Sequence, residues 1–195
     1  MRDGQSRTAV AIVLLMVALT VLAVTPPAAA SDDLWALLRS GGQIIFMRHA
    51  ITTPGVGDPP GMRLDDCKTQ RNLTDDGRQH ARRVGEAFRT RGIAVTRVLS
   101  SPWCRCLETA KLAFGTPEVS SALGNLFGRP EARAEQVRRM RAMVGVSPGP
   151  GNVVWVSHGS TIVELTGVNP DTAEMVVLTP QGGDRFTIAG RLVVR

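Results

Sequence analysis

Two arginines and two histidines stand in three separate segments of this 195-residue chain, Arg48-His49, Arg105 and His158, and together they could do phosphoryl chemistry. A guanidinium is planar and permanently charged, and it can grip a tetrahedral oxyanion with two N–H groups at once. It therefore suits a phosphate dianion better than a carboxylate or an amine. An imidazole held neutral in such a pocket can attack phosphorus and carry the phosphoryl group as phosphohistidine, which divides one difficult displacement into two easier ones. The arginines would stabilise charge on the equatorial oxygens during each transfer. Residues so far apart in the chain can act together only if the fold brings them to one place.

The elements between them supply that convergence. Ser31-Asp32-Asp33 caps an amphipathic helix through Leu34, Trp35, Leu37 and Leu38, which Gly41-Gly42 stops. Residues 43–47 form a short apolar run that reads as a buried strand and delivers Arg48-His49 at its carboxyl end. Residues 50–72 are rich in Pro and Gly without apolar periodicity, so they read as a long loop, and loops of that length in compact domains are usually functional. Thr74-Asp75-Asp76 opens a second helix with Ala81, Val84, Ala87 and Phe88 inward, ended by Gly92. Residues 93–99 read as a strand, and Ser100-Ser101-Pro102 turns it into a helix that carries Arg105. A helix over 130–144 with Ala134, Val137, Met140 and Val144 inward precedes a strand at 152–156 that ends on Ser157-His158-Gly159. Another helix follows through Ile162, Val163 and Leu165, and 174–195 reads as two strands about the 181–184 turn. This alternation predicts an α/β fold, a single three-layer α/β/α domain with a mostly parallel sheet, in which ligands bind at the carboxyl ends of strands.

Composition narrows the partners. Aromatic residues make up 4% of the chain, with no Tyr, so there is no interleaved aromatic and basic surface for stacking on single-stranded nucleic acid, and none is expected as a partner. Arg2 and Arg7 precede an uncharged apolar run over 9–24, then Pro26-Pro27 and Ala28-Ala29-Ala30. That pattern reads as a signal peptide over 1–30, cleaved near Ala30, leaving a domain over 31–195 that is periplasmic or secreted, or membrane-anchored if uncleaved. Without the leader the formal charge falls from +6 to +5, which favours anionic partners, phosphorylated small molecules or an anionic envelope or lipopolysaccharide surface. Three cysteines in an oxidising compartment imply one disulfide, Cys67 with Cys104 or Cys106, since 104 and 106 are too close to bridge each other easily. No cluster has metal-ligand spacing, and neither metal nor cofactor is expected, because the arginines take over the charge role a metal would play.

Four segments carry a more specific likeness. Phe46-Met47-Arg48-His49-Ala50 resembles the R-H-G/A signature of the histidine phosphatase superfamily, which includes the cofactor-dependent phosphoglycerate mutases. Asn72-Leu73-Thr74-Asp75-Asp76-Gly77 with Ala81 is similar to its L-T-x-x-G-x-x-Q-A helix start, 100–110 to its S-S-P-x-x-R-x-x-x-T-A segment, and Val156-Ser157-His158-Gly159 to its V-x-H-G segment. They occur in family order. The resemblance implies a phosphoglycerate mutase-like fold, His49 as nucleophile, Arg48 and Arg105 as phosphate ligands, and His158 against the phosphate and the developing charge. Gly57-Asp58-Pro59 and Asp66-Cys67 through Leu73 resemble short exported members that act on lipopolysaccharide-core heptose phosphate.

The chain departs from that pattern at two places. His80 stands where the family has Gln and reads as a structural or exposed residue. Many members carry a Glu between the second arginine and second histidine that protonates the leaving oxygen; around 123–127 this chain offers Asn125, so no acid follows from the motifs. Asp58, Asp65 and Asp66 in the long loop are the weak candidates for that role, while Glu108 and Thr109 are expected to position the Arg105 helix. The expected function is a metal-independent phosphomonoesterase acting outside the cytoplasm, on a sugar phosphate if the heptose likeness holds. Two rivals stand beside it: a non-catalytic phosphate-binding envelope domain, and a phosphohistidine protein phosphatase.

Overall fold

The structure, a computed structural model, describes residues 27–146 and 148–195. The leader expected over 1–30 lies outside the described residues but for the backbone of 27–30. The first helix, α1, runs Pro27–Ser40, so it begins four residues before the expected cap at Ser31. Proline in a first helical turn costs little, because its missing N–H would have no intrahelical partner there. No helix among the described residues is long and apolar enough to cross a membrane.

The remaining elements follow the expected order. They are β1 Ile44–Arg48, α2 Asp75–Thr90, β2 Val95–Ser100, α3 Cys104–Phe114, β3 Glu118–Val119, α4 Arg133–Val144, β4 Asn152–Ser157, α5 Gly159–Thr166, β5 Met175–Pro180 and β6 Phe186–Leu192. The sheet order is β3-β2-β4-β1-β5-β6. Pairings from β3 to β1 are parallel, and β5 and β6 continue the sheet antiparallel. The fold is thus mixed α/β with a mostly parallel sheet, as expected. The two-residue β3 was not legible, because so short an exposed strand has no period to read.

β1 is buried on both faces, as a central strand between helical layers must be. Ile45 and Met47 face Leu34, Trp35 and Leu38 of α1, Val84 and Phe88 of α2, and Ala110 and Ala113 of α3. Ile44 and Phe46 face the other way, with Trp155, Met140 and Val144 of α4, and Ile162 and Leu165 of α5. The Phe46 and Trp155 rings meet edge to face, 5.4 Å between centroids. α4 corrects one expectation: Ala134 is exposed and Gln136 is buried instead, its Nε2 donating to the Gly124 carbonyl at 2.6 Å. A buried amide is tolerated there because that bond satisfies it.

α2 docks its first turn on the segment just after β1, and this explains the L-T-x-x-G pattern physically. Thr74 Oγ1 caps the helix by accepting from Gly77 N at 3.0 Å, while Thr74 N donates to the Ile51 carbonyl at 3.0 Å. A Cβ on Gly77 would collide with that same Ile51 carbonyl, so only glycine permits the approach.

Candidate active site

The carboxyl ends of β1, β4 and β2 lie side by side, and the sheet's own bonds place the reactive residues. His49 N donates to the Ser157 carbonyl at 2.9 Å, Arg48 N to the Glu174 carbonyl at 3.0 Å, and Ser101 N to the Val156 carbonyl at 2.9 Å. Thr109 of α3 bridges two of these ends: its Oγ1 accepts from Ala50 N at 3.0 Å and donates to the Arg105 carbonyl at 2.7 Å. Glu108 acts elsewhere, joining α3 to α2 through Arg78 at 2.7 Å. His80 is remote from these strand ends in its bonding, with Nε2 2.7 Å from the Val194 carbonyl.

A cleft of about 280 Å³ opens over these ends, lined among others by Arg48, His49, Arg71, Asn125, Phe127 and His158. His49 and His158 are both 3% exposed, their ring centroids 5.5 Å apart, and Arg105, 1% exposed, donates through NH2 to His158 Nδ1 at 3.2 Å. All four residues singled out by chemistry are therefore brought together. A larger groove of about 500 Å³ lies along β2, β3 and the end of α4, but it holds neither histidine, and its charged pair, Arg97 and Glu118, is mutually satisfied at 2.7 Å.

Hydrogen bonding fixes the state of each imidazole. His49 Nδ1 lies 2.8 Å from the Ala50 carbonyl, which can only accept, so Nδ1 carries the proton and the Nε2 lone pair is free. For His158 the logic is reversed: the Arg105 guanidinium can only donate, so Nδ1 accepts and Nε2–H donates to Ser101 Oγ at 2.8 Å. Burial, reinforced by the charges of Arg105 and Arg48, lowers the His49 pKa to about 3, against a stabilising bond to Ala50 that works the other way. Burial first, then Arg105, also holds His158 well below its ordinary value. Both rings are neutral at physiological pH.

Arg71, which the sequence shows only as part of a loop pattern, lines the cleft beside Arg48. Its NH1 donates to Thr52 Oγ1 at 2.9 Å and to the Gly55 carbonyl at 3.0 Å. Partial burial, then the charge of Arg105, lowers its pKa, a mark of crowded cations. Arg48 NH1 is held by the Pro170 carbonyl at 2.9 Å. Among the described residues, the buried side-chain polar atoms that lack any partner are the Nε atoms of Arg48, Arg71 and Arg105. Buried donors normally find acceptors, and a cleft lined by Arg48 and Arg71, with Arg105 behind it on His158, is chemically suited to an oxyanion.

The candidate acids are placed otherwise than the acid role requires. Asp58 is bound to Arg105 through both carboxylate oxygens at 2.6 and 3.2 Å. Burial acts to raise its pKa, but the Arg105 hydrogen bonds and charge outweigh that and hold the carboxyl below its usual range, so it has no proton to give. Asp66 pairs with Arg63 at 3.1 Å and caps the turn at Cys67–Thr69, and Asp65 is exposed beside Arg63 at 3.5 Å. Asn125 lines the cleft and accepts from Ser160 Oγ at 2.9 Å and from Phe127 N at 3.1 Å. Of the two cysteine pairings left open, the structure has Cys67–Cys104, tying the long loop to the first residue of α3, while Cys106 is a buried free thiol.

The family model for the histidine phosphatase superfamily (branch 1) matches residues 44–123. No curated protein matches the chain by sequence. Among solved structures, the protein histidine phosphatase SixA complexed with tungstate is 18% identical with a TM-score of 0.55, over 77% of this chain and 96% of that one. Mycobacterial glucosyl-3-phosphoglycerate phosphatase is 18% identical with a TM-score of 0.54, over 75% and 96% of the two chains. Its complex with VO3 is 20% identical with a TM-score of 0.52, over 71% and 92%. At such identity these structures share the fold with this chain.

Proposed function

We propose that this chain is a phosphatase of the histidine phosphatase superfamily, whose family model matches residues 44–123, and that it hydrolyses phosphomonoesters without a metal, through a phosphohistidine formed on His49 Nε2. The observation that carries this reading is the neutral His49 with its proton held on Nδ1, set among three arginines whose buried Nε–H groups have no other acceptor. Two proteins that share the fold are complexed with the oxyanions tungstate and VO3, which supports an oxyanion ligand for this chain.

In the first step the Nε2 lone pair forms a bond to phosphorus as the bond from phosphorus to the ester oxygen breaks. The ring becomes cationic while Nδ1–H stays on the Ala50 carbonyl, an acceptor that favours that charge. The guanidinium groups meet the charge on the equatorial oxygens. Water then attacks the phosphohistidine, the N–P bond breaks, and inorganic phosphate leaves with His49 neutral again. Among the described residues no carboxylate lines the cleft, and Asp58 behind it is held by Arg105, so the departing oxygen takes its proton from water. Substrates with acidic leaving groups are therefore the fast ones.

The substrate is an extracytoplasmic sugar phosphate. The apolar leader pattern supports export, and the cleft mouth combines the half-exposed Phe127 ring with the amides of Asn125 and Asn169 and the Ser160 hydroxyl, groups suited to a polyhydroxylated ring. The basic surface supports docking at an anionic envelope. The test is p-nitrophenyl phosphate hydrolysis by residues 31–195 in EDTA, wild type against His49→Ala. Turnover in EDTA that falls by at least roughly a thousandfold in the variant is expected. Equal activity in the two proteins would remove His49 as nucleophile, and a folded but inactive wild type that binds phosphate would favour the non-catalytic reading.

A further inference from the structure

Asp58 is an anion inside a site built to bind anions. Its side chain is 8% exposed, and four donors meet its two oxygens: Arg105 NH1 at 2.6 Å, Arg105 NH2 at 3.2 Å, Trp103 Nε1 at 3.1 Å and Arg71 N at 3.2 Å. Gly57 directs it inward with φ at +72°, a left-handed conformation that residues with a Cβ rarely adopt.

We propose that Asp58 is a positioning residue of the phosphate pocket: it fixes Arg105 by its terminal nitrogens and cancels one of three arginine charges, matching the pocket to a phosphate dianion. The inference rests on the phosphatase reading above. With both imidazoles neutral, Arg48, Arg71 and Arg105 set against Asp58 leave two positive charges, equal and opposite to a monoester dianion. Three uncompensated arginines would hold inorganic phosphate more tightly and slow its release.

Two observations separate this role from that of a plug which substrate must expel. Removing the carboxylate from its place would leave the buried Trp103 Nε1 without an acceptor and Arg105 NH1 with only the Arg71 carbonyl at 3.5 Å. The Nε–H groups of Arg48 and Arg71, the two arginines that line the cleft, remain unpartnered while Asp58 is bound, so the pocket keeps anion-binding donors with the carboxylate in place. A relay also runs from Asp58 through Arg105 to His158 Nδ1, which keeps the His158 proton on Nε2 and directed at Ser101.

The experiment compares wild type, Asp58→Asn and Asp58→Glu by calorimetric titration with inorganic phosphate at about pH 8, where phosphate is mostly dianionic, and by p-nitrophenyl phosphate kinetics. Asp58→Asn replaces one acceptor oxygen by a donor and removes the negative charge. Its phosphate Kd is expected to tighten about three- to tenfold while kcat falls at least about tenfold, a split that loss of packing would not give. Asp58→Glu keeps the charge but lengthens the arm, so its phosphate Kd stays near wild type while kcat still falls. A faster Asp58→Asn enzyme would show a plug instead, and unchanged Kd and kcat with only a lower Tm would show a purely structural carboxylate. Either result overturns the proposal. Phosphate titration needs no turnover, so a wild type that fails to hydrolyse would count against the phosphatase reading and leave this comparison intact.

Discussion

The site is built from two regions that are held in different ways. At the strand ends, His49, Ser101 and the neighbours of His158 are fixed by backbone bonds of the sheet itself, between strands buried on both faces. On the 50–72 loop, Asp58 and Arg71 are fixed by side chains: the Arg105 fork, the Thr52 hydroxyl, Gln70 Oε1 accepting from Cys104 N at 2.9 Å, and the Cys67–Cys104 bridge. The difference teaches that the nucleophile can lose its geometry only when the sheet does, whereas the loop's cations can be lost by cutting local tethers.

The largest expected effect sharpens this division from the side where the two regions meet. Arg105→Ala strands a buried carboxylate, so stability should drop by about 3–5 kcal/mol, with kcat/KM reduced at least roughly a thousandfold; urea unfolding and aryl phosphate kinetics read both. Arg71→Ala is the loop-only counterpart, expected to lower kcat/KM by roughly a hundredfold while stability moves by less than about 1 kcal/mol. Comparable stability losses in the two variants would break the comparison. Next comes the paired Cys67→Ser and Cys104→Ser change, which should cost about 2–4 kcal/mol and raise KM more than it lowers kcat, because it loosens the loop and spares His49. A kcat loss matching that of His49→Ala would contradict it.

The remaining expected effect is on pH dependence. His49 and His158 have folded pKa values below the unfolded value near 6.5, so the unfolded chain binds more protons in the acid range. Their contribution is complete above about pH 6.5 and is lost as pH falls from there towards about 3, the folded value for His49. Thermal melts from neutral to acidic pH should show Tm falling over that window, less steeply in His49→Gln. A flat profile in the wild type would mean that the two rings are not buried neutral.

The strand-end region was readable because its physics is periodic and local. The apolar run before Arg48, the Ser100-Ser101-Pro102 turn before Arg105 and the β-rich run before His158 each show where a strand ends, and a doubly covered sheet puts those ends together. The loop was legible only as a loop. Nothing local to Asp58 indicates that it meets an arginine 47 positions away, and Arg71 differs from a solvated loop arginine only in what folds around it. By sequence alone Asp58 therefore reads as a candidate proton donor, whereas in the structure its ion pair with Arg105 favours the ionised carboxylate. The cysteine count implied one bridge and left its second partner open, because 104 and 106 lie on the same helix and only packing separates them.

That packing also governs how the chain oxidises. Cys106 lies under His158, 3.5 Å from Nε2, fully enclosed, and its burial pushes the thiol up to about 12. Disulfide exchange requires a thiolate, and a thiol raised so far above its ordinary value stays protonated at neutral pH. The isomer joining Cys67 to Cys106 can thus arise only before the sheet closes over that sulfur, and closure of the core then protects the native bridge from reshuffling by its own neighbour.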